Sequence, residues 1–153
     1  MLEFKYRTKY LNFKVLSSTN VVVRQKLPSR GWYFADILVV ALIFKIVDGD
    51  EWAKAQALGL FKGAAVDLSD GYIHFSTAQQ VRETAARHFA GRENLLLVAF
   101  EANQLGEALK WEVSRGGALF PHLYAALDPK QALWAKPLPW TGAAHVFPEG
   151  FSG

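Results

Sequence analysis

The sequence predicts an α+β fold, and three observations predict it. Short β-like runs separated by turn residues recur from residue 41 to residue 136. Only two segments combine helical periodicity with capping residues. The regular strand–helix–strand alternation of a doubly wound sheet is missing. With 153 residues, 51% of them apolar and 14% aromatic, the chain can bury the core of one domain.

The first strand is expected at 41–47, inside the apolar run Ile37-Leu-Val-Val-Ala-Leu-Ile-Phe44. That run is too short for a membrane helix, which needs about 20 apolar residues. It is badly placed for a signal peptide, because Lys45 and Asp48 follow where small residues belong. Asp48-Gly49 signals a turn. Asp50 is expected to cap a helix over 51–58 that Gly59 ends. Residues 63–70 read as loop, and 72–76 as a strand. Thr77 is expected to cap a second helix over 78–90, with Gln80 at the capping-box position. Val81, Ala85 and Phe89 share one face of it, and Gly91 ends it. The nearly continuous apolar run 94–101 suits a central strand covered on both faces. Strands are expected at 109–113, 122–126 and 131–136. Gly116-Gly117 requires a sharp bend, and Pro137, Pro139 and Pro148 make the tail an irregular wrap.

Charge is unevenly placed. Residues 1–36 hold seven Lys and Arg against Glu3 and Asp36, a balance of +5, whereas the whole chain is +3. The remainder is therefore −2, so the basic balance gives a core little affinity for nucleic acid. Two parts are expected: a basic N-terminal extension over 1–36 and one α+β domain over 37–153. A start assigned too far upstream also explains the extension, with the functional domain beginning near Ala41. The chain has no cysteine, which excludes thiol nucleophiles, disulfides and thiolate metal sites. Cytoplasmic residence without a membrane partner is the default expectation, and oligomeric state is left open.

Two stretches carry candidate chemistry. In Asp70-Gly-Tyr-Ile-His-Phe-Ser76, strand alternation puts Tyr72, His74 and Ser76 on one face and Ile73 and Phe75 on the other. A histidine suits proton transfer near neutrality and can hydrogen-bond a sugar hydroxyl; a half-buried histidine bonded to backbone is the plainer role. Ser76 can bond a ligand or serve the turn into the helix. In Trp111-Glu-Val-Ser-Arg-Gly-Gly-Ala-Leu-Phe-Pro-His-Leu-Tyr124, His122 and Tyr124 share a face, held by the restrictions that Pro121 imposes. Trp111 and Glu112 point to opposite sides. Arg115 lies beside Gly116-Gly117, where an anion can approach backbone amides. An exposed ion pair is the plainer role for Glu112 and Arg115, worth about 0–1 kcal/mol. The four histidines are dispersed without ligand spacing, so no metal is expected.

These two motifs, with Phe44-Lys-Ile-Val47, Trp52, the helix bearing Phe89 and Leu109-Lys-Trp-Glu112, resemble the bacterial and plant family called domain of unknown function 952. The resemblance covers roughly residues 42–140. It implies a fold like that of the ADP-ribosyltransferase superfamily, in which two small antiparallel sheets frame a cleft that holds NAD in active members. It implies that His74 holds a ribose, that Tyr124 serves as an aromatic wall and that Glu112 is the acid. Two features depart from active relatives: the glutamate precedes the tyrosine, and Ala125 stands where a glycine usually follows the His-x-Tyr pair. The expected ligand is nucleotide-like, NAD as substrate or an ADP-ribose derivative, with ADP-ribosyl transfer or NAD glycohydrolysis if the protein is an enzyme. The expected catalytic residues are His74, Glu112 and His122; the expected ligand-binding residues are Ser76, Trp111, Arg115 and Tyr124. The rivals are a non-catalytic binding module, a phosphate-handling hydrolase built on the two histidines and Arg115, and a partner-docking domain.

Overall fold

The computed structural model describes residues 41–151 and the backbone of two short strands, β1 (Phe13–Val15) and β2 (Val22–Arg24), which pair antiparallel. The chain divides into two units, residues 1–41 and 42–153. Apart from those two strands, the expected basic extension lies outside the described residues. The second unit runs β3 (Leu42–Asp48), α1 (Gly49–Leu58), α2 (Ala65–Asp70), β4 (Ile73–His74), α3 (Ala78–His88), β5 (Leu95–Glu101), β6 (Leu109–Val113), β7 (Leu119–Leu123) and β8 (Trp134–Pro137). It is α+β, with two three-stranded antiparallel sheets ordered β3-β5-β8 and β4-β7-β6.

The apolar run at β5 sits in the middle of the first sheet, as its composition requires. Alternation splits its side chains between two cores. Val98 and Phe100 join Ile43 and Val47 of β3, Trp52 and Ala55 of α1, Ile73 and Leu123 from the second sheet, and Phe75 just past β4. Leu97 and Ala99 join Phe44, Ile46, the Ala78-Val81-Ala85 stripe of α3, and Leu138. Phe147 and Phe151 of the tail close that second core. Each Val, Leu, Ile or Phe side chain fully buried in this way contributes about 1.5–3 kcal/mol.

Segment 73–76 belongs to both sheets, and Pro121 explains why. Residues 73 and 74 pair with 123 and 122 of β7. The next position, Phe75, donates its N–H to Pro121 O at 2.9 Å. Pro121 has no N–H to return, so the ladder stops there. The chain crosses to the other sheet, where Ser76 and Phe44 exchange both backbone bonds at 2.8 and 2.9 Å. The expected strand 72–76 is thus two residues of one sheet followed by a bridge to the other.

Other expectations are corrected. Asp48, not Asp50, caps α1: its carboxylate accepts from the N–H groups of Asp50 and Glu51 at 2.9 and 3.2 Å. The expected loop 63–70 contains α2, too short to show a period. β7 covers 119–123 instead of 122–126, because Leu119 and Phe120 pair with Val113 and Glu112 ahead of the proline. Asp128 caps a tight turn at Pro129–Gln131, which delays β8 to residue 134. α3 ends at His88, two residues early. Its capping box does form, with Thr77 N donating to Gln80 Oε1 at 2.9 Å.

One buried charge fixes how these parts meet. Lys45 lies inside β3 on the face of Ile43 and Val47, only 4% exposed. Its ammonium donates to both oxygens of Asp67 on α2, at 2.8 and 2.6 Å. Asp67 Oδ2 also accepts from Ala64 N at 2.8 Å, closing the first turn of α2. Asp67 Oδ1 accepts from His74 N at 3.0 Å, fixing the start of the second sheet. A one-residue slip of β3 would carry Lys45 to the opposite core, away from its anion. Burial pushes the Asp67 carboxyl up, but the His74 ring, the Lys45 charge and the His74 backbone N–H together hold it well below the usual carboxylate range.

Two outcomes follow for stability. Asp67→Asn leaves the Lys45 ammonium buried without a counter-charge and is expected to cost about 3–5 kcal/mol in urea unfolding. Adding Lys45→Met to that variant recovers part of the loss, since no buried charge is then stranded. In the wild type, the depressed Asp67 pKa contributes stability that is fully present above its unfolded value of about 3.9 and is lost as pH falls below it. Urea midpoints measured from pH 7 to pH 2 check the sign.

Candidate functional site

On the second sheet, Ile73 and Leu123 point into the core, so their neighbours His74 and His122 emerge on the other face. The register sets His74 opposite His122, and His122 opposite Lys110 of β6. The two imidazole rings stand 5.4 Å apart at 70°. Tyr72 and Tyr124, each two residues from its histidine, fall on the same side. The Tyr72 ring stacks on His122 at 4.3 Å, and lies 4.7 Å from His74 and 5.1 Å from Tyr124. Four rings from two distant segments therefore gather on one face of the sheet: His122 is only 5% exposed, Tyr72 and His74 are half-buried, and Tyr124 is exposed.

Each histidine is oriented by a carboxylate. His74 Nδ1 lies 2.8 Å from Asp67 Oδ1, and His122 Nδ1 lies 2.8 Å from Glu112 Oε2. An ionised carboxylate only accepts, so the neutral form of each ring carries its proton on Nδ1 and leaves a lone pair on Nε2. Glu112 Oε2 also accepts from the Tyr124 hydroxyl at 2.9 Å. The His122 and Tyr124 bonds hold Glu112 below the usual carboxylate range. The same bond to Glu112 pushes the Tyr124 phenol up. His74 Nε2 lies 3.3 Å from Asp70 Oδ2; two acceptors that close need a proton on the ring or a bridging hydroxyl donor. The surface can thus accept hydrogen bonds from a polyhydroxyl group, stack a flat ring on tyrosine, and take up a proton at an oriented imidazole.

The structure brings together His74, Glu112, His122 and Tyr124 from the expected set. It does not bring in the other three. Ser76 is buried, and its hydroxyl donates to Thr84 Oγ1 on α3 at 3.1 Å. Arg115 turns to the same helix, 3.5 Å from Thr84 Oγ1 and from Glu83 Oε2, with its guanidinium over Phe120. Trp111 lies on the opposite face of β6 from Glu112, half-exposed, as strand alternation requires. Nor do Glu112 and Arg115 form the ion pair considered from sequence. The residue that sequence reasoning missed is Asp67, seven positions before the histidine it orients. Its only signal was an acidic residue in an otherwise weakly polar stretch. Tyr72 was foreshadowed by alternation alone. Among the described residues, no group of three or more histidine and acidic side chains is placed to hold a metal ion, and no helix is long and apolar enough to cross a membrane.

Comparison with known proteins agrees with the motifs. Residues 46–135, more than half of the chain, match the family described as "Protein of unknown function (DUF952)". The crystal structure of protein CC0527 from Caulobacter crescentus is 49% identical, over 69% of this chain and 93% of that one, with a TM-score of 0.66. The solution structure of the same bacterial protein is 50% identical over 68% and 90%, with a TM-score of 0.62. No curated protein matches. The chain belongs to the DUF952 family.

The Glu112–His122 pair makes a spectroscopic prediction. Nitrogen NMR is expected to show the Nδ1–H tautomer for the neutral His122 ring. In Glu112→Gln the anionic acceptor is gone, so the Tyr124 phenol ionises at lower pH than in the wild type. An alkaline ultraviolet titration reads that shift; an unchanged Tyr124 titration would show that the bond to Glu112 does not hold in solution.

Proposed function

We propose that the His74–His122 face binds a nucleotide of the NAD or ADP-ribose class. The observation that carries the reading is the pair of histidines side by side, each with Nδ1 held by a carboxylate, flanked by two tyrosine rings; His74 Nε2 faces Asp70 at 3.3 Å, and His122 Nε2 bonds to none of the described residues. A ribose hydroxyl is suited to bridging His74 Nε2 and Asp70 or to donating to His122 Nε2, and a nicotinamide or adenine ring is suited to the exposed face of Tyr124. The resemblance drawn from the sequence motifs implies a fold like that of the ADP-ribosyltransferase superfamily, and that implied fold supports the same ligand class by analogy alone.

The chemistry that fits is cleavage of the nicotinamide–ribose bond. The bonding pair leaves with nicotinamide, and the ribose carbon becomes positively charged. Glu112 Oε1 has no partner among the described residues and can offset that charge. A hydroxyl acceptor or water then attacks, and His122 takes its proton. A binding module without turnover is the second reading. One observation favours it: Glu112 Oε2 is already committed to His122 and Tyr124, which makes the carboxylate a positioning group first.

Calorimetric titration with NAD and ADP-ribose, together with chromatographic assay of free nicotinamide, tests both. Binding is expected to weaken at least about tenfold in His74→Ala and in His122→Ala, the loss of roughly one charged or well-oriented hydrogen bond. Release of nicotinamide that disappears in Glu112→Gln while affinity survives supports the enzyme. Binding without release leaves the module. Absence of binding to either nucleotide contradicts the proposal.

A further inference from the structure

We propose that β6 is a dimerisation strand: two copies of this chain join edge to edge through Leu109–Val113, running antiparallel about Trp111. Among the described residues, β6 is the outer strand of its sheet, with β7 on one side only. Its hydrogen-bond phase is fixed by the flanking bonds, Tyr124 N to Ala108 O at 3.0 Å and Ser114 N to Ala118 O at 2.9 Å. Residues 108, 110, 112 and 114 therefore turn their backbone groups toward β7. Leu109, Trp111 and Val113 turn theirs outward. Leu109 N–H is taken by Gly106 O. The outward edge then presents the N–H and C=O of Trp111 and Val113 and the C=O of Leu109.

The sequence of this strand complements itself. In an antiparallel pair centred on residue 111, Trp111 meets the partner's Trp111, and their backbones exchange two hydrogen bonds. Leu109 meets the partner's Val113, whose N–H reaches Leu109 O, and symmetry repeats the bond. On the other face, Lys110 meets the partner's Glu112, and Glu112 meets the partner's Lys110. Opposite charges directly across such a pair attract, and like charges repel. On the apolar face, Trp111, Val113 and Leu119 are 42%, 71% and 51% exposed. Val113 and Leu119 are cross-strand neighbours, so the exposed side chains extend beside the open edge instead of being scattered. A second copy fits this edge because it supplies both the apolar strip and the reversed charge order. The reading stands independently of the ligand. It would place the partner's Lys110 beside the Glu112 that orients His122.

Sedimentation velocity of the full chain from about 10 to 500 μM tests the pairing, a range suited to a small interface. A monomer–dimer equilibrium is expected. Lys110→Glu and Glu112→Lys should each weaken dimerisation at least about tenfold by setting like charges opposite each other. The double variant K110E/E112K restores opposite charges and should dimerise like the wild type. Amide hydrogen exchange supplies a readout that needs no variant: Trp111 and Val113 N–H should exchange more slowly at high than at low protein concentration. A monomer across the whole range overturns the proposal. So does a dimer indifferent to the single charge reversals, or a double variant no better than the single ones.

Discussion

The carboxylate of Asp67 links the stability of this domain to its candidate site. One side chain accepts from a lysine of the first sheet, from the first turn of α2, and from both the backbone and the ring of His74 in the second sheet. A buried anion with that many donors is far cheaper than a buried anion alone, and the donors are held in place by the same bonds. Pairing a charge inside a core is seldom the most stable solution, since apolar residues of similar volume often do as well. What the pair supplies here is position. It fixes the register of β3, the placement of α2 and the orientation of the imidazole that faces outward.

Pro121 is the complementary constraint. Its missing N–H ends the β4–β7 ladder after two residue pairs, and the chain crosses from one sheet to the other at Ser76. The crossing gives the first core two sheets to lie between. It also leaves the far side of the second sheet as the place where histidines and tyrosines gather. The same proline holds the strand from which His122 projects. Fold and site thus depend on the same short segments.

Much of this was legible in the sequence. Alternation alone put Tyr72 with His74, His122 with Tyr124, and Trp111 opposite Glu112. The apolar run at β5 declared a central strand, and Thr77 with Gln80 declared the start of α3. What could not be read was the pairing between distant strands. The register that sets His74 opposite His122 depends on where Pro121 interrupts the ladder, which no local pattern states. α2 was hidden because six residues cannot show a helical period. Asp67 was hidden with it, since its partners Lys45 and His74 are brought to it only by the tertiary fold. Ser76 and Arg115 lie apart from the four rings for a related reason: the chain leaves the sheet at Phe75, so strand alternation ceases to apply to Ser76, while Arg115 has a nearer acid on α3.

The most direct measurement is a crystal structure of the full chain soaked with NAD. A bound dinucleotide is expected against Tyr72, His74, His122 and Tyr124, with a ribose hydroxyl about 2.7–3.2 Å from an imidazole Nε2. A dinucleotide lodged on another surface, or this face bare at saturating NAD, would contradict that expectation.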